Sequence, residues 1–185
     1  MIRQSDAMTF TYDARLCDGS LTSTVSTRTC TIANTLFTQA PFNLAWGSQV
    51  YAKIIATNIK GDSLVSDHGT GVRIIRVPDA PVSLADLPIV TKDTQIGFTW
   101  LDGAQNGGTP VLDYKISYAD NGGEYTTLEI GVTAKTYTVI NMLSGHTYGF
   151  KVQARNNFGY SDFSQEVLIT AAKVPAKPAT PTTTF

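Results

Sequence analysis

The chain has 185 residues, with 14 Lys+Arg against 15 Asp+Glu and a formal net charge of −1. That balance excludes the electrostatic footprint of a nucleic-acid or anionic-membrane binder. Hydrophobic residues make up 42% and charged residues 16%. No apolar run approaches the ~18 residues that a bilayer span needs, so no membrane span is expected in this segment. Met1-Ile-Arg-Gln-Ser-Asp6 lacks a following apolar run, so any secretion signal is expected outside it.

In chain order, Ile2 and then Ser5-Asp6-Ala7 read as the tail of a strand and its turn, with a short strand near Phe10 to Tyr12. Residues 11–30 are polar and loop-rich, with cysteines at 17 and 30. An even, small number of cysteines fits one disulfide, Cys17–Cys30, tying a long hairpin loop; two unpaired thiols are the alternative. Closing such a loop contributes roughly 3 kcal/mol and points to an oxidising compartment. A strand is expected to begin at Thr29–Ile32. Residues 33–46 form a long connection, Val50–Thr57 a strand, and Gly71–Val77 the closing segment.

Pro78-Asp-Ala-Pro81 ends this stretch, because proline fixes φ and removes a ladder donor. Beyond it, Ser83–Ala85, Thr94–Trp100, the alternating Tyr114, Ile116 and Tyr118, Tyr125–Ile130, Lys135–Ile140, Tyr148–Asn156 and Phe163–Ala171 read as seven short strands. Leu101–Pro110 is a glycine-rich loop, and Asn121-Gly-Gly a hairpin turn needing positive φ. Such spacing of strands and turns predicts a two-sheet sandwich.

The chain also repeats itself. Val50 and Tyr148, Ala56 and Ala154, Asn58 and Asn156, and Gly61 and Gly159 are each 98 residues apart. Pro78-Asp-Ala-Pro81 recurs 97 residues later as Pro175-Ala-Lys-Pro178. We therefore expect two all-β modules: residues 1–77 partial, with a cysteine-tied loop; 78–173 complete; and 174–185 a linker or the start of a third. The first copy lacks counterparts of the two strands before Tyr114, which predicts poor order or pairing with a neighbouring chain near its start.

On these residues the second module resembles a fibronectin type III domain along its length. The resemblance is carried by Pro78-Asp-Ala-Pro81, Trp100, Asn106–Ile116, and the run from Ser144-Gly145 through Tyr148, Phe150, Val152, Ala154, Asn156, Gly159 and Ser161. It implies an all-β, immunoglobulin-like sandwich with Trp100, Tyr114, Ile116, Tyr148, Phe150 and Val152 in the core. It also implies a tyrosine corner, in which the Tyr148 hydroxyl bonds backbone near the preceding turn. Met142 and Ser144 depart from the usual Leu and Pro. The first module resembles the family only over its last strands: Val50 stands in place of the corner tyrosine, and Trp46 in place of a turn proline. The whole is similar to the long fibronectin type III arrays of large surface proteins, including those of protists.

Reactive chemistry finds little support. His68 and His146 sit in turns without ligand-spaced partners. Asn106-Gly107-Gly108 precedes no helix and no Lys-Ser/Thr, so it is not a phosphate cradle. Asp102, Asp113 and Asp120 alternate with turn glycines and read as solubilising residues. Asp62, Asp67 and Asp79 suggest junction calcium, against an ordinary turn reading. No cofactor and no catalytic or metal residue is therefore expected. Phe37, Phe42 and Trp46 either cover the open end of the first module or form an exposed contact surface, and Phe158 and Tyr160 carry the same choice.

The expectation is a non-enzymatic spacer, adhesive or filament-building element of a large extracellular or cell-surface protein. Its partners would be neighbouring modules, and other chains through strand pairing or loops. An accessory spacer of a carbohydrate-active enzyme and an intracellular scaffold are the alternatives.

Overall fold

The computed structural model describes residues 1–13, 17–69 and 71–182. The chain divides into two compact units. Unit 1 holds Met1–Val77 with Gln105–Pro110 and Asn157–Gly159; unit 2 holds Pro78–Ala104, Val111–Asn156 and Tyr160–Phe185.

Unit 1 is built from fragments: β1 (Ile2–Arg3), β2 (Phe10–Thr11), α1 (Thr22–Thr27), α2 (Asn34–Phe37), β3 (Gln49–Val50), β4 (Thr57–Asn58), β5 (Gly61–Asp62) and β6 (Val72–Arg73). Three antiparallel pairs result, β1–β2, β3–β6 and β4–β5. Asp6 makes the first turn: its carboxylate accepts the Met8 and Thr9 N–H groups, both at 2.9 Å. The start of the chain joins the segment after β3, where Lys53 N–H donates to Met1 O, Met1 N to Lys53 O, and Arg3 N–H to Tyr51 O. Ile2, Phe37, Phe42, Leu44 and Ile74 form a small core, flanked by Ile32, Trp46 and Val50.

Unit 2 continues with β7 (Val82–Asp86), β8 (Gln95–Leu101), β9 (Asp113–Asp120), β10 (Thr126–Val132), β11 (Thr136–Ile140), β12 (Thr147–Arg155) and β13 (Val167–Thr170). They form a four-stranded sheet ordered β10-β9-β12-β13 and a three-stranded sheet ordered β11-β8-β7, antiparallel throughout. Every second side chain of the central strands points between the two sheets, and β9 and β12 also bury residues on their other face, such as Ser117, Ala119 and Gln153. Ile96, Phe98 and Trp100 from one, and Tyr114, Ile116, Tyr148, Phe150 and Val152 from the other, all lie in one core cluster. Phe98 stacks on Phe150 with centroids 4.6 Å apart, and Trp100 meets Tyr114 edge to face at 5.3 Å. Burying a side chain of this size stabilises by about 2–3 kcal/mol before entropy is subtracted. The β9–β10 turn has Asn121 at φ 46° and Gly122 at φ 74°, the doubly positive geometry whose twist suits a tight hairpin.

The structure corrects several expectations in unit 1. Thr29–Ile32 is not a strand, and the loop between the cysteines contains a helical turn, α1. Cys17 and Cys30 are disulfide-bonded with Cα atoms 5.7 Å apart. Residues tied that closely must double back, and a helical turn takes up chain with little advance. Val50–Thr57 is not one continuous strand: β3, a bridge at Ala52 and β4 are all that is regular. In unit 2 the last strand begins at Val167 rather than Phe163. Of the expected linker 174–185, residues 183–185 lie outside the described residues.

Candidate functional site

Two hairpins, one in each unit, share one local construction. In unit 2 the return after β12 is held by two serines. Ser161 N–H donates to Ala154 O at 2.8 Å while Ala154 N–H donates to Ser161 Oγ at 3.0 Å. Ser164 N–H donates to Val152 O at 2.9 Å while Val152 N–H donates to Ser164 Oγ at 3.0 Å. Each hydroxyl passes its own proton forward, Ser161 to Asp162 O and Ser164 to Gln165 O.

Ninety-eight residues earlier the same atoms repeat the pattern. Ser63 N–H donates to Ala56 O at 2.8 Å and Ala56 N–H to Ser63 Oγ at 3.0 Å. Ser66 N–H donates to Ile54 O and Ile54 N–H to Ser66 Oγ, both at 3.0 Å. Ser63 donates on to Leu64 O and Ser66 to Asp67 O. The serine oxygen takes the place of a ladder carbonyl, which satisfies the strand's N–H while the returning chain stands off. The repeat reaches further: Lys151 Nζ sits 4.0 Å from the Tyr125 ring centroid, and Lys53 Nζ sits 4.6 Å from that of Phe10.

What differs is cover. Val152, Ala154, Ser161 and Ser164 are all buried. Of their counterparts, Ile54 is 70% exposed, and Ala56, Ser63 and Ser66 are exposed as well. Ile55, Ile59, Leu64 and Val65 add exposed apolar surface to the same ribbon, with Ile59 at 98% and Leu64 at 95%. In unit 2 the neighbour that covers this edge is β9, in the register Tyr114↔Ala154, Lys115↔Gln153 and Ile116↔Val152. In unit 1 the matching neighbour is β1, which reaches only as far as Met1 opposite Lys53. Ile55 and Thr57 lie on the edge beyond it.

The other singled-out residues distribute as follows. Leu143 N–H donates to the Tyr148 hydroxyl at 3.0 Å, so that buried ring ties the turn before β12 to the core. Asp113, buried, receives the Arg155 guanidinium through Nε at 2.9 Å and also through Nη2. Asp102 accepts from both Lys135 and Tyr114. Burial alone would raise the Asp102 pKa, but those two hydrogen bonds and the Lys135 charge outweigh it and hold the carboxyl below its ordinary value. Burial pushes the Tyr114 phenol up, helped by the Asp102 bond and charge. Asp102 and Asp113 are thus structural braces rather than merely solubilising residues. His146 Nδ1 lies 2.9 Å from Asp120 Oδ1, a pairing between strand ends 26 residues apart that no local spacing reveals.

Phe37 and Phe42 are core residues, packed edge to face at 6.2 Å, and not a contact surface. They pack with Ile2, Leu44 and Ile74 in the small core of unit 1. Trp46 is half-buried beneath the Arg76 guanidinium, 5.4 Å from its ring centroid. Tyr160 is half-buried with Lys115 Nζ 4.8 Å away, whereas Phe158 is exposed. Asp62 accepts from Thr57 Oγ1 at 2.6 Å. Among the described residues no group of three His, Cys, Asp or Glu side chains is placed to hold a metal ion, and no helix is long and apolar enough to cross a membrane. The serine pairs escaped sequence reasoning, although the 98-residue interval would have flagged Ser63/Ser161 and Ser66/Ser164.

The sheet order and the hydroxyl-to-backbone bond of Tyr148 define the class: an all-β sandwich of the immunoglobulin-like kind. Residues 80–170 match the family model "Fibronectin type III domain", and the chain carries a fibronectin type III domain there. It is 34% identical over 89 residues to "Cell adhesion molecule-related/down-regulated by oncogenes" of Xenopus laevis, covering 46% of this chain and 7% of that protein. It is 32% identical over 146 residues to "Protein sidekick" of Drosophila melanogaster, covering 76% of this chain and 6% of that protein. The chain thus spans only a small part of the length of these relatives. A crystal structure of domains A168-A170 from titin aligns with a TM-score of 0.52 at 22% identity, over 72% of this chain and 44% of that one; that likeness speaks to the fold alone.

Proposed function

We propose that the chain is a non-enzymatic structural or adhesive segment of a large extracellular or cell-surface repeat protein. In this reading residues 1–77 are a partial fibronectin type III module, 78–173 a complete one, and 174–185 a linker or the start of another. Its neighbours along the array are its first partners, and strand pairing with other chains makes it a filament-building element. The serine-held hairpin built twice at a fixed interval carries this reading, because it makes the chain a repeat in detail as well as in sequence. Modules that each bury a core have nearly local stability, which suits a spacer. The extracellular placement draws support from the Cys17–Cys30 disulfide, since such bonds persist in oxidising compartments. The name of the Xenopus relative favours the adhesive side.

Residues 78–173 expressed alone are expected to unfold in one cooperative transition, at the midpoint that unit 2 shows within the full chain. A segment that folds only with residues 1–77 attached overturns the spacer reading. Thiol titration of native material is expected to find the two cysteines oxidised; two free thiols would instead support the intracellular scaffold.

A further inference from the structure

We propose that Tyr125, Gly149 and Glu166 form a force-bearing clasp that fastens the chain entering β13 across the four-stranded sheet and resists its withdrawal when unit 2 is pulled end to end. The inference deepens the spacer reading and rests on it.

Tyr125 immediately precedes β10, and Glu166 immediately precedes β13. These are the two edge strands of the sheet, with β9 and β12 between them. The Tyr125 hydroxyl nevertheless donates to the Glu166 carboxylate, 41 residues away in the chain. The two side chains meet over Gly149 of β12, where a Cβ would collide with both. Gly149 is registered with Ala119 on β9, and such paired positions share a face, so neither strand puts a bulky side chain in the way. Lys151 Nζ lies 4.0 Å from the Tyr125 ring centroid and adds a cation against the ring. Burial, then the Glu166 bond and charge, push the Tyr125 phenol up, so it stays a proton donor.

The clasp sits where tension would act. Val82 of β7 pairs with Leu101, at the end of the sandwich where Trp100 meets Tyr114 at the start of β9. Thr170 of β13 pairs with Thr147, at the opposite end, beside the Tyr148↔Asp120 pair that closes β9. Pulling on the two ends of unit 2 therefore runs parallel to the strands and loads the transverse ladder bonds of β13 together. That ladder has four registered pairs. Upstream, Ser164 is bonded to Val152. Only Gln165 and Glu166 separate it from the first β13 pair, Phe150↔Val167, and the clasp secures that gap.

Among the described residues of unit 1 the three positions differ together. Ninety-eight residues before Gly149 and Glu166 stand Tyr51 and His68. Phe10, which has no hydroxyl, takes the place of Tyr125 beside the matching lysine. There His68 packs edge to face on Tyr51 at 5.1 Å. A bulky residue at the glycine position, no phenol and no carboxylate occur as a set, which marks the clasp as one device of unit 2.

Single-molecule force spectroscopy of the full chain, with handles at its two ends, tests this. Unit 2 is recognised by the contour length it releases. Tyr125→Phe removes only the hydroxyl and should speed unfolding of unit 2 at fixed force about fivefold, the equivalent of one hydrogen bond. Gly149→Ala should speed it at least as much, and adding Tyr125→Phe to it should bring no further gain. With the second handle moved to Ala104→Cys, the pull separates β7 from β8 and leaves β13 unloaded; Tyr125→Phe should then unfold as its parent does. An unchanged rate under the end-to-end pull, with unit 2 folded, overturns the proposal. Equal acceleration in both geometries also overturns it, since the pair is then a general stabiliser. Failure of residues 78–173 to fold alone is a separate result, which removes the spacer reading itself.

Discussion

Residues 50–66 and 148–164 follow one backbone plan, yet one holds most of a buried nine-residue strand and its return, and the other is an exposed ribbon with two-residue fragments of ladder. The serines and the turn glycine are common to both. The neighbour is not: β12 has β9 on its far side for eight registered pairs, whereas among the described residues the unit 1 segment is paired there with β1 at its first residues. Local sequence therefore sets the shape of the hairpin, and a partner strand decides whether that shape becomes sheet. The aromatics show the same division. Trp100 is sealed between two sheets, while Trp46 lies half-covered beneath one guanidinium.

The sharpest way to break the comparison is at the two tryptophans. Trp100→Ala should destabilise unit 2 by about 3–5 kcal/mol, the cost of truncating a fully buried aromatic. Trp46→Ala should cost unit 1 about 1 kcal/mol, in proportion to the smaller area it covers. Denaturant unfolding of each variant, with exchange protection assigned to each unit, would check both values. Equal losses would mean that unit 1 is better packed than its burial indicates.

The serine pairs sharpen the contrast. Ser164→Ala leaves the buried Val152 N–H without its acceptor and should cost about 1–3 kcal/mol; Ser66→Ala leaves an exposed Ile54 N–H that water can satisfy, and should cost under about 0.5 kcal/mol. Chemical denaturation distinguishes these values, and similar costs at the two sites would remove burial as the deciding variable.

A further small effect concerns acid. Asp102 has a folded pKa below its unfolded one. Its contribution is therefore complete above about pH 4, the unfolded carboxylate value, and is lost as pH falls through the lowered folded value. The Asp102–Lys135 pair is well exposed to solvent, so the magnitude should stay under about 1 kcal/mol. Asp102→Asn should flatten that acid limb of unit 2 stability while leaving the neutral-pH fold intact, as followed by unfolding midpoints across the range from acid to neutral.

Much of unit 2 was legible in the residues. Period-two alternation at Ile96, Phe98 and Trp100, and again at Tyr148, Phe150 and Val152, marks strands with an apolar face turned to the core, because successive side chains of a strand point to opposite faces. Asn121-Gly122 marks its turn because few other pairs accept positive φ twice. Less was legible in unit 1. Val50–Thr57 has strand-like alternation but too little ladder beside it to become one strand. Phe37 and Phe42 lie in a connection without period, and their burial depends on contacts with Ile2, Leu44 and Ile74, which are distant or irregularly spaced in the chain.

The sequence by itself determined the sandwich of the second half and the 98-residue repeat, since these follow from local periodicity and spacing. The tertiary structure alone decided that Asp102 braces Lys135 and Tyr114, that His146 meets Asp120, and that one copy of a shared hairpin is buried while the other stands open. Those outcomes depend on which distant strand lies alongside, and free energy of burial is a property of neighbours in space rather than of neighbours in the chain.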